Sequence, residues 1–178
     1  MEKNKNRISR EFCIWGQFDK KSTKVLNQIQ LKVYKELQGP RFDIHLTLTG
    51  PTKDVSIEGY QKIRKVASEH RLIKLETNSY KTKNLFFQSL FIGIKQTHGL
   101  VELKKTLDEE YSKKSDIFFP HISLYYGMKE KKVKENMINT LPNLCKSFVL
   151  DKISLVKVDE DIERWDVIDQ FMLLPVAK

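Results

Sequence analysis

The chain is poor in the residues that break structure and in those that cross-link it. Only 7 Gly and 5 Pro occur among 178 residues, with no biased tract, which excludes a low-complexity or linker-built protein. The two cysteines, Cys13 and Cys145, lie far apart, without CxxC spacing or a His/Cys cluster. A disulfide framework and a zinc site are thereby excluded, and a reducing compartment suits the pair. No run approaches the roughly 18 apolar residues of a membrane helix. The opening MEKNKNRISREF carries positive charge with no apolar stretch behind it, so it does not read as a secretory signal, and a cytoplasmic location is expected. Histidine is scarce too, at 4 residues.

What is present is an ordinary globular balance of 40% hydrophobic and 31% charged residues. At this length roughly 70% of the unfolded surface can be buried, so a single domain over residues 1–178 with a real core is expected. The net charge of +9 raises the local concentration of an anionic partner such as a nucleotide or an RNA end, and serves solubility equally well.

Periodicity predicts an α+β alternation. EFCIWGQF (11–18) reads as a strand, and KSTKVLNQIQLKVYKEL carries Leu26, Ile29, Val33 and Leu37 at helical spacing up to Gly39-Pro40. Then come the strand DIHLTLT, a helix from Ser56 to about His70, and two strand-like runs, LIKLETNSYKT and LFFQSLFIGI. A helix from about Gly99 to Tyr111 precedes the strand HISLYY. A Lys-rich segment, MKEKKVKENMINTL, follows, with its charges expected to face water. SFVLDKISLVKV and RWDVIDQFMLL close the chain as two strands. The order strand, helix, strand, helix thus occurs twice.

In each half the second strand carries the pattern His, apolar, hydroxyl, Leu: His45-Leu46-Thr47-Leu48 and His121-Ile122-Ser123-Leu124. Side chains at i and i+2 of a strand share a face, so each motif offers an imidazole and a hydroxyl together while its apolar residues point into a core. Two such strands lining one cleft make a pair of imidazoles beside a pair of hydroxyl donors. An ordinary pKa near 6.5 allows one ring to be neutral and the other protonated, so one acts as base and the other as acid. A cyclic phosphodiester needs that pair, one to activate water and one to protonate the departing ribose oxygen in line, and needs neither metal nor cofactor. Thr47 and Ser123 would hold the non-bridging oxygens. His70 and His98 lack such company and read as surface residues.

With FCIW, GPRF, NLFFQSLF, PHISLYYG and the closing W-D-V strand added to the two histidine motifs, the chain resembles the two-histidine phosphoesterases, and within them the cyclic phosphodiesterases of tRNA-splicing by-product metabolism. The resemblance extends along nearly the whole chain. It implies two pseudo-symmetric lobes, each an antiparallel sheet packed with helices, with the active-site cleft between them. It also implies hydrolysis of ADP-ribose 1″,2″-cyclic phosphate to ADP-ribose 1″-phosphate and of nucleoside 2′,3′-cyclic phosphates to 2′-phosphates. By matched position, His45 and His121 are catalytic, and Thr47 and Ser123 bind phosphate. His121 is expected as base and His45 as acid. Tyr126 matches an active-site tyrosine where bacterial relatives often have Arg, and the strand must end or bulge before it. Trp15, Phe86 and Gln88 match positions near the substrate, with core packing the competing role for the aromatics. Arg41 either touches phosphate or braces its turn. Lys129, Lys131, Lys132 and Lys134 form a solvated helix face. Two alternatives stay open: an enzyme that cleaves 2′-5′ linkages or processes RNA ends, and a nucleotide or RNA-end binding module without turnover. The expected partner is a small anionic nucleotide, with RNA ends left open, no membrane, and a monomer as the default.

Overall fold

The computed structural model describes residues 11–52, 57–113 and 117–176. The opening MEKNKNRISR and the expected helix start at Ser56 lie outside the described residues.

Among the described residues, seven strands and four helices follow the chain order anticipated from periodicity. β1 (Glu11–Phe18), α1 (Lys20–Leu37), β2 (Leu46–Thr52) and α2 (Ile57–Glu69) form the first half, and β3 (Ile73–Thr82) leads into the second. β4 (Leu90–Ile94), α3 (His98–Glu110), β5 (His121–Tyr125) and α4 (Lys131–Thr140) repeat the pattern, and β6 (Ser147–Val158) and β7 (Asp166–Met172) close it. All strand pairs are antiparallel, in the order β1-β2-β5-β4-β3-β6-β7, with β1 also paired to β6.

The 12-residue β6 serves both lobes. Its start, Ser147 to Leu150, pairs with β3, and its remainder pairs with β1 on one edge and β7 on the other. One lobe is therefore β2-β1-β6-β7 and the other β5-β4-β3-β6, and where the lobes meet, β2 and β5 join through the single pair Leu46↔Ile122. Both residues are fully buried.

α1 buries Leu26, Ile29, Val33 and Leu37, as its spacing predicts. Its first turn is capped by Asp19, whose carboxylate accepts from the Ser22 N–H at 2.7 Å, satisfying an amide that has no intrahelical partner. α3 buries Leu100, Leu103 and Leu107 and packs on α2 and β2, while α1 packs on β5.

The run LFFQSLFIGI differs from its reading as one strand. Only Leu90–Ile94 is strand, fully buried along its length, and Phe86–Gln88 is a 3-10 turn at the rim, closed by Gln88 N–H to Leu85 O at 3.2 Å. Aromatic residues raise strand propensity, but Leu85, Phe86 and Phe87 are exposed here, and without burial that propensity has nothing to pack against. The Lys-rich helix face also differs at one position: Lys134 is buried. DIHLTLT starts late, with strand pairing from Leu46 onward. HISLYY ends at Tyr125, and Gly127, at φ 150°, turns the chain away after Tyr126.

Gly39 ends the α1 connection at φ 132°, and a Cβ there would lie 2.8 Å from Tyr125 Cε2 and 3.0 Å from Tyr126 O. Gly39→Ala should therefore cost about 1–3 kcal/mol in urea unfolding, from strain and overpacking together. An unchanged midpoint and slope would contradict this packing.

Candidate active site

The Leu46↔Ile122 pair fixes the site. In an antiparallel register the residues flanking such a pair also face each other, so His45 comes beside Ser123 and Thr47 beside His121, on the side opposite the two core residues. Both sequence motifs thus meet on one open face. The two imidazoles are near enough that a charge on His121 disfavours one on His45.

Each ring is held in the same way. His45 Nδ1 lies 2.6 Å from Asp43 O, and His121 Nδ1 lies 2.9 Å from Phe119 O, in both cases the carbonyl two residues upstream. A carbonyl can only accept, so each Nδ1 carries the proton and donates it, which makes Nε2 the unprotonated nitrogen of each neutral ring.

Their surroundings differ. His45 is 4% exposed and stacks on Trp15 with ring centroids 3.6 Å apart and planes 5° from parallel. Burial lowers its pKa to about 4; the Asp43 hydrogen bond opposes this, and the His121 charge adds to it. His121 is half-buried, between Phe91 at 5.3 Å and Phe119 at 5.4 Å. Its pKa is also lowered, by burial first, with the Phe119 hydrogen bond opposing and the Lys83 charge adding. The sequence motifs are symmetric; the proton affinities are not.

The hydroxyls divide likewise. Thr47 is exposed on the open face, whereas Ser123 is buried, donates to Phe87 O at 3.3 Å and bonds the Tyr126 hydroxyl. Tyr126 is itself buried and stacks on Phe42 at 4.0 Å. Burial raises its pKa far above the ordinary phenol value, so it stays a neutral hydrogen-bond donor.

Trp15 lies at the site but is 2% exposed, with one face covered by His45; it is the wall behind the imidazole. Phe86 is exposed and reaches Tyr126 at 6.4 Å. Gln88 accepts from Lys83 Nζ at 2.7 Å, on the His121 side. The Arg41 guanidinium lies 4.3 Å over the Tyr34 ring. With Trp15, Phe42 and Trp165 it lines a cavity of about 480 Å³, to which neither imidazole contributes.

Sequence reading did not single out Trp165, Phe42, Phe87, Phe119 or Lys83. Trp165 lies 5.7 Å from Trp15, 6.3 Å from His45 and 6.2 Å from Phe87. Phe42 and Trp165 stand inside the landmarks GPRF and W-D-V, and Phe119 two residues before its histidine. Lys83, whose ammonium lies 3.9 Å over Phe119, has no local signal at all. His70 and His98 lie away from this face: His70 bonds Val66 O at 2.9 Å, and His98 pairs with Glu102 at 3.7 Å.

No family model matches the chain. A cyclic phosphodiesterase of Arabidopsis thaliana is 22% identical over 166 residues, covering 88% of this chain and 92% of that protein. Escherichia coli LigT superposes with a TM-score of 0.65 at 18% identity, over 93% of this chain and 98% of LigT. Thermus thermophilus TT0787 gives 0.64 at 17%, over 94% and 100%. LigT has also been crystallised with 3′-AMP, ATP and NADP+. The chain thus shares the fold of LigT and TT0787 and carries a histidine motif in each half. The sequence is similar to the plant cyclic phosphodiesterase along most of both chains. No helix among the described residues is long and apolar enough to cross a membrane.

The depressed His45 pKa has a consequence for stability. The unfolded imidazole takes up a proton near pH 6.5 and the folded one near 4, so between those values the unfolded state binds more protons and stability rises with pH. The contribution is complete above pH 6.5 and falls as pH drops toward 4, by about 3 kcal/mol across the window. Urea unfolding of wild type and His45→Ala at pH 7.0, 6.0 and 5.0 should show a weaker pH dependence in the variant. Parallel curves would contradict the burial of a neutral imidazole.

Proposed function

We propose that the chain is a metal-independent cyclic phosphodiesterase. It converts nucleoside 2′,3′-cyclic phosphates to 2′-phosphates and ADP-ribose 1″,2″-cyclic phosphate to ADP-ribose 1″-phosphate. The observation that carries this reading is the pair of imidazoles set on one face, each with Nδ1 tied to a backbone carbonyl and Nε2 available. The similarity to the plant enzyme supports the cyclic substrate, and the nucleotides bound by LigT support the class of ligand.

One imidazole Nε2 removes a proton from water as the water oxygen bonds to phosphorus. The phosphorus bond to the ribose oxygen opposite breaks, and the second imidazole gives that oxygen its Nε2 proton. Thr47 and the neutral Tyr126 hydroxyl donate to the non-bridging oxygens as charge develops, and Ser123 joins them by turning its O–H away from Phe87 O. The proton affinities order the roles. In the free protein the state with one ring charged is mainly His45 neutral and His121 protonated, because His45 is the harder ring to charge. His45 is then the base and His121 the acid, the reverse of the order expected from sequence.

Phosphorus NMR of the protein with these cyclic phosphates in excess EDTA should show 2′-phosphates and ADP-ribose 1″-phosphate. His45→Ala and His121→Ala should each lower kcat by about 10²–10⁴-fold. A cyclic substrate with sulfur in place of the departing oxygen needs no acid, so it should restore turnover to His121→Ala and not to His45→Ala. Absence of turnover by the folded wild type would overturn the cyclic phosphodiesterase reading, and rescue of His45→Ala instead would overturn the order of roles.

A further inference from the structure

α4 carries a charge where its sequence pattern calls for a solvated face. Lys129, Lys131 and Lys132 are exposed, but Lys134 is 1% exposed, among the largest fully buried side chains of the chain. An ammonium out of water is costly unless its hydrogen bonds are made. Lys134 Nζ donates to Lys83 O at 2.6 Å and to Ser89 Oγ at 3.3 Å.

These two acceptors are the two ends of one loop. Lys83 N–H also bonds Ser89 O at 3.2 Å, so residues 83–89 form a closed excursion between β3 and β4. The loop has little burial of its own, because Leu85, Phe86 and Phe87 are all exposed, and segments held by so few apolar contacts open easily. Yet it forms one wall of the cleft. Phe86 O accepts from Gly127 N–H at 3.2 Å, Phe87 O accepts from Ser123 at 3.3 Å, and the Phe87 ring stacks on Trp165 at 6.2 Å. At the loop's other end the Lys83 side chain reaches Gln88 and lies over Phe119 beside His121.

We propose that Lys134 is a positioning residue, whose buried ammonium clamps both ends of the 83–89 loop and so sets the aromatic wall against which substrate binds. The inference rests on the reading of this cleft as the substrate site. A methionine would fill the same volume without the cost of a buried charge, but it would leave Lys83 O and Ser89 Oγ without this donor. The clamp acts on the loop and not on the imidazoles, whose own anchors are Asp43 O and Phe119 O. Loss of the clamp should therefore appear in substrate binding more than in the chemical step.

Lys134→Met should raise KM for a 2′,3′-cyclic nucleotide about tenfold while kcat stays within about threefold. In hydrogen exchange, the amides of Lys83, Gln88 and Gly127 should open faster, while those of Phe91 and Ile92 in β4 stay as in wild type. Exchange needs no turnover, so it reads the clamp even where no cyclic phosphate is hydrolysed. Unchanged KM with unchanged exchange at the three amides would overturn the proposal, and so would acceleration of the β4 amides to the same degree. Should Lys134→Met fail to fold, Ser89→Ala keeps the charge and its bond to Lys83 O. It should speed the same three amides with a KM rise of about two- to threefold, and wild-type values there would overturn the clamp.

Discussion

The site depends on one strand pair. Leu46 and Ile122, each the residue after a motif histidine, are the contact through which β2 and β5 join the two lobes. Their burial fixes the register, since a slip by one residue would turn the imidazoles into the core and the leucine and isoleucine outward. β6 reinforces this from the opposite side, pairing with β3 in one lobe and β1 in the other. The lobes are thus closed around the sheet, and the histidines stand at the seam.

Pseudo-symmetry then gives the two rings the same anchor, and burial gives them different proton affinities. Both donate Nδ1–H to the carbonyl two residues upstream, which fixes the tautomer. Only His45 is packed face to face on a tryptophan, so desolvation acts on it most strongly. In the proposed mechanism, two copies of a strand motif supply a base and an acid because one copy is drier than the other. The hydroxyls follow the same pattern, with Thr47 open to the face and Ser123 tied to Phe87 O and Tyr126.

Much of this frame was legible in the sequence. Leu26, Ile29, Val33 and Leu37, and Leu100, Leu103 and Leu107, mark buried helix faces because a 3.6-residue period leaves a readable stripe. The histidine motifs were legible because alternation in a strand fixes which residues share a face. The rest depends on tertiary contacts that no local window contains. Phe86 and Phe87 have strand propensity but line an open rim, so they form a turn. Lys134 looks solvated until Lys83 O and Ser89 Oγ arrive from 51 and 45 residues away to receive its ammonium. The Trp15–His45 stack, which decides the lower of the two proton affinities, joins β1 to the residue just before β2.

The central claim is that in the free protein at pH 7 both imidazoles are neutral, with the proton on Nδ1. Long-range nitrogen-15 NMR of the histidine rings, followed through a pH titration, tests it directly. The account predicts the Nδ1–H tautomer for both His45 and His121 at pH 7. It also predicts titration of both below 6.5, with His45 the lower at about 4. An Nε2–H tautomer at either ring, or a His45 that titrates at or above 6.5, would contradict it.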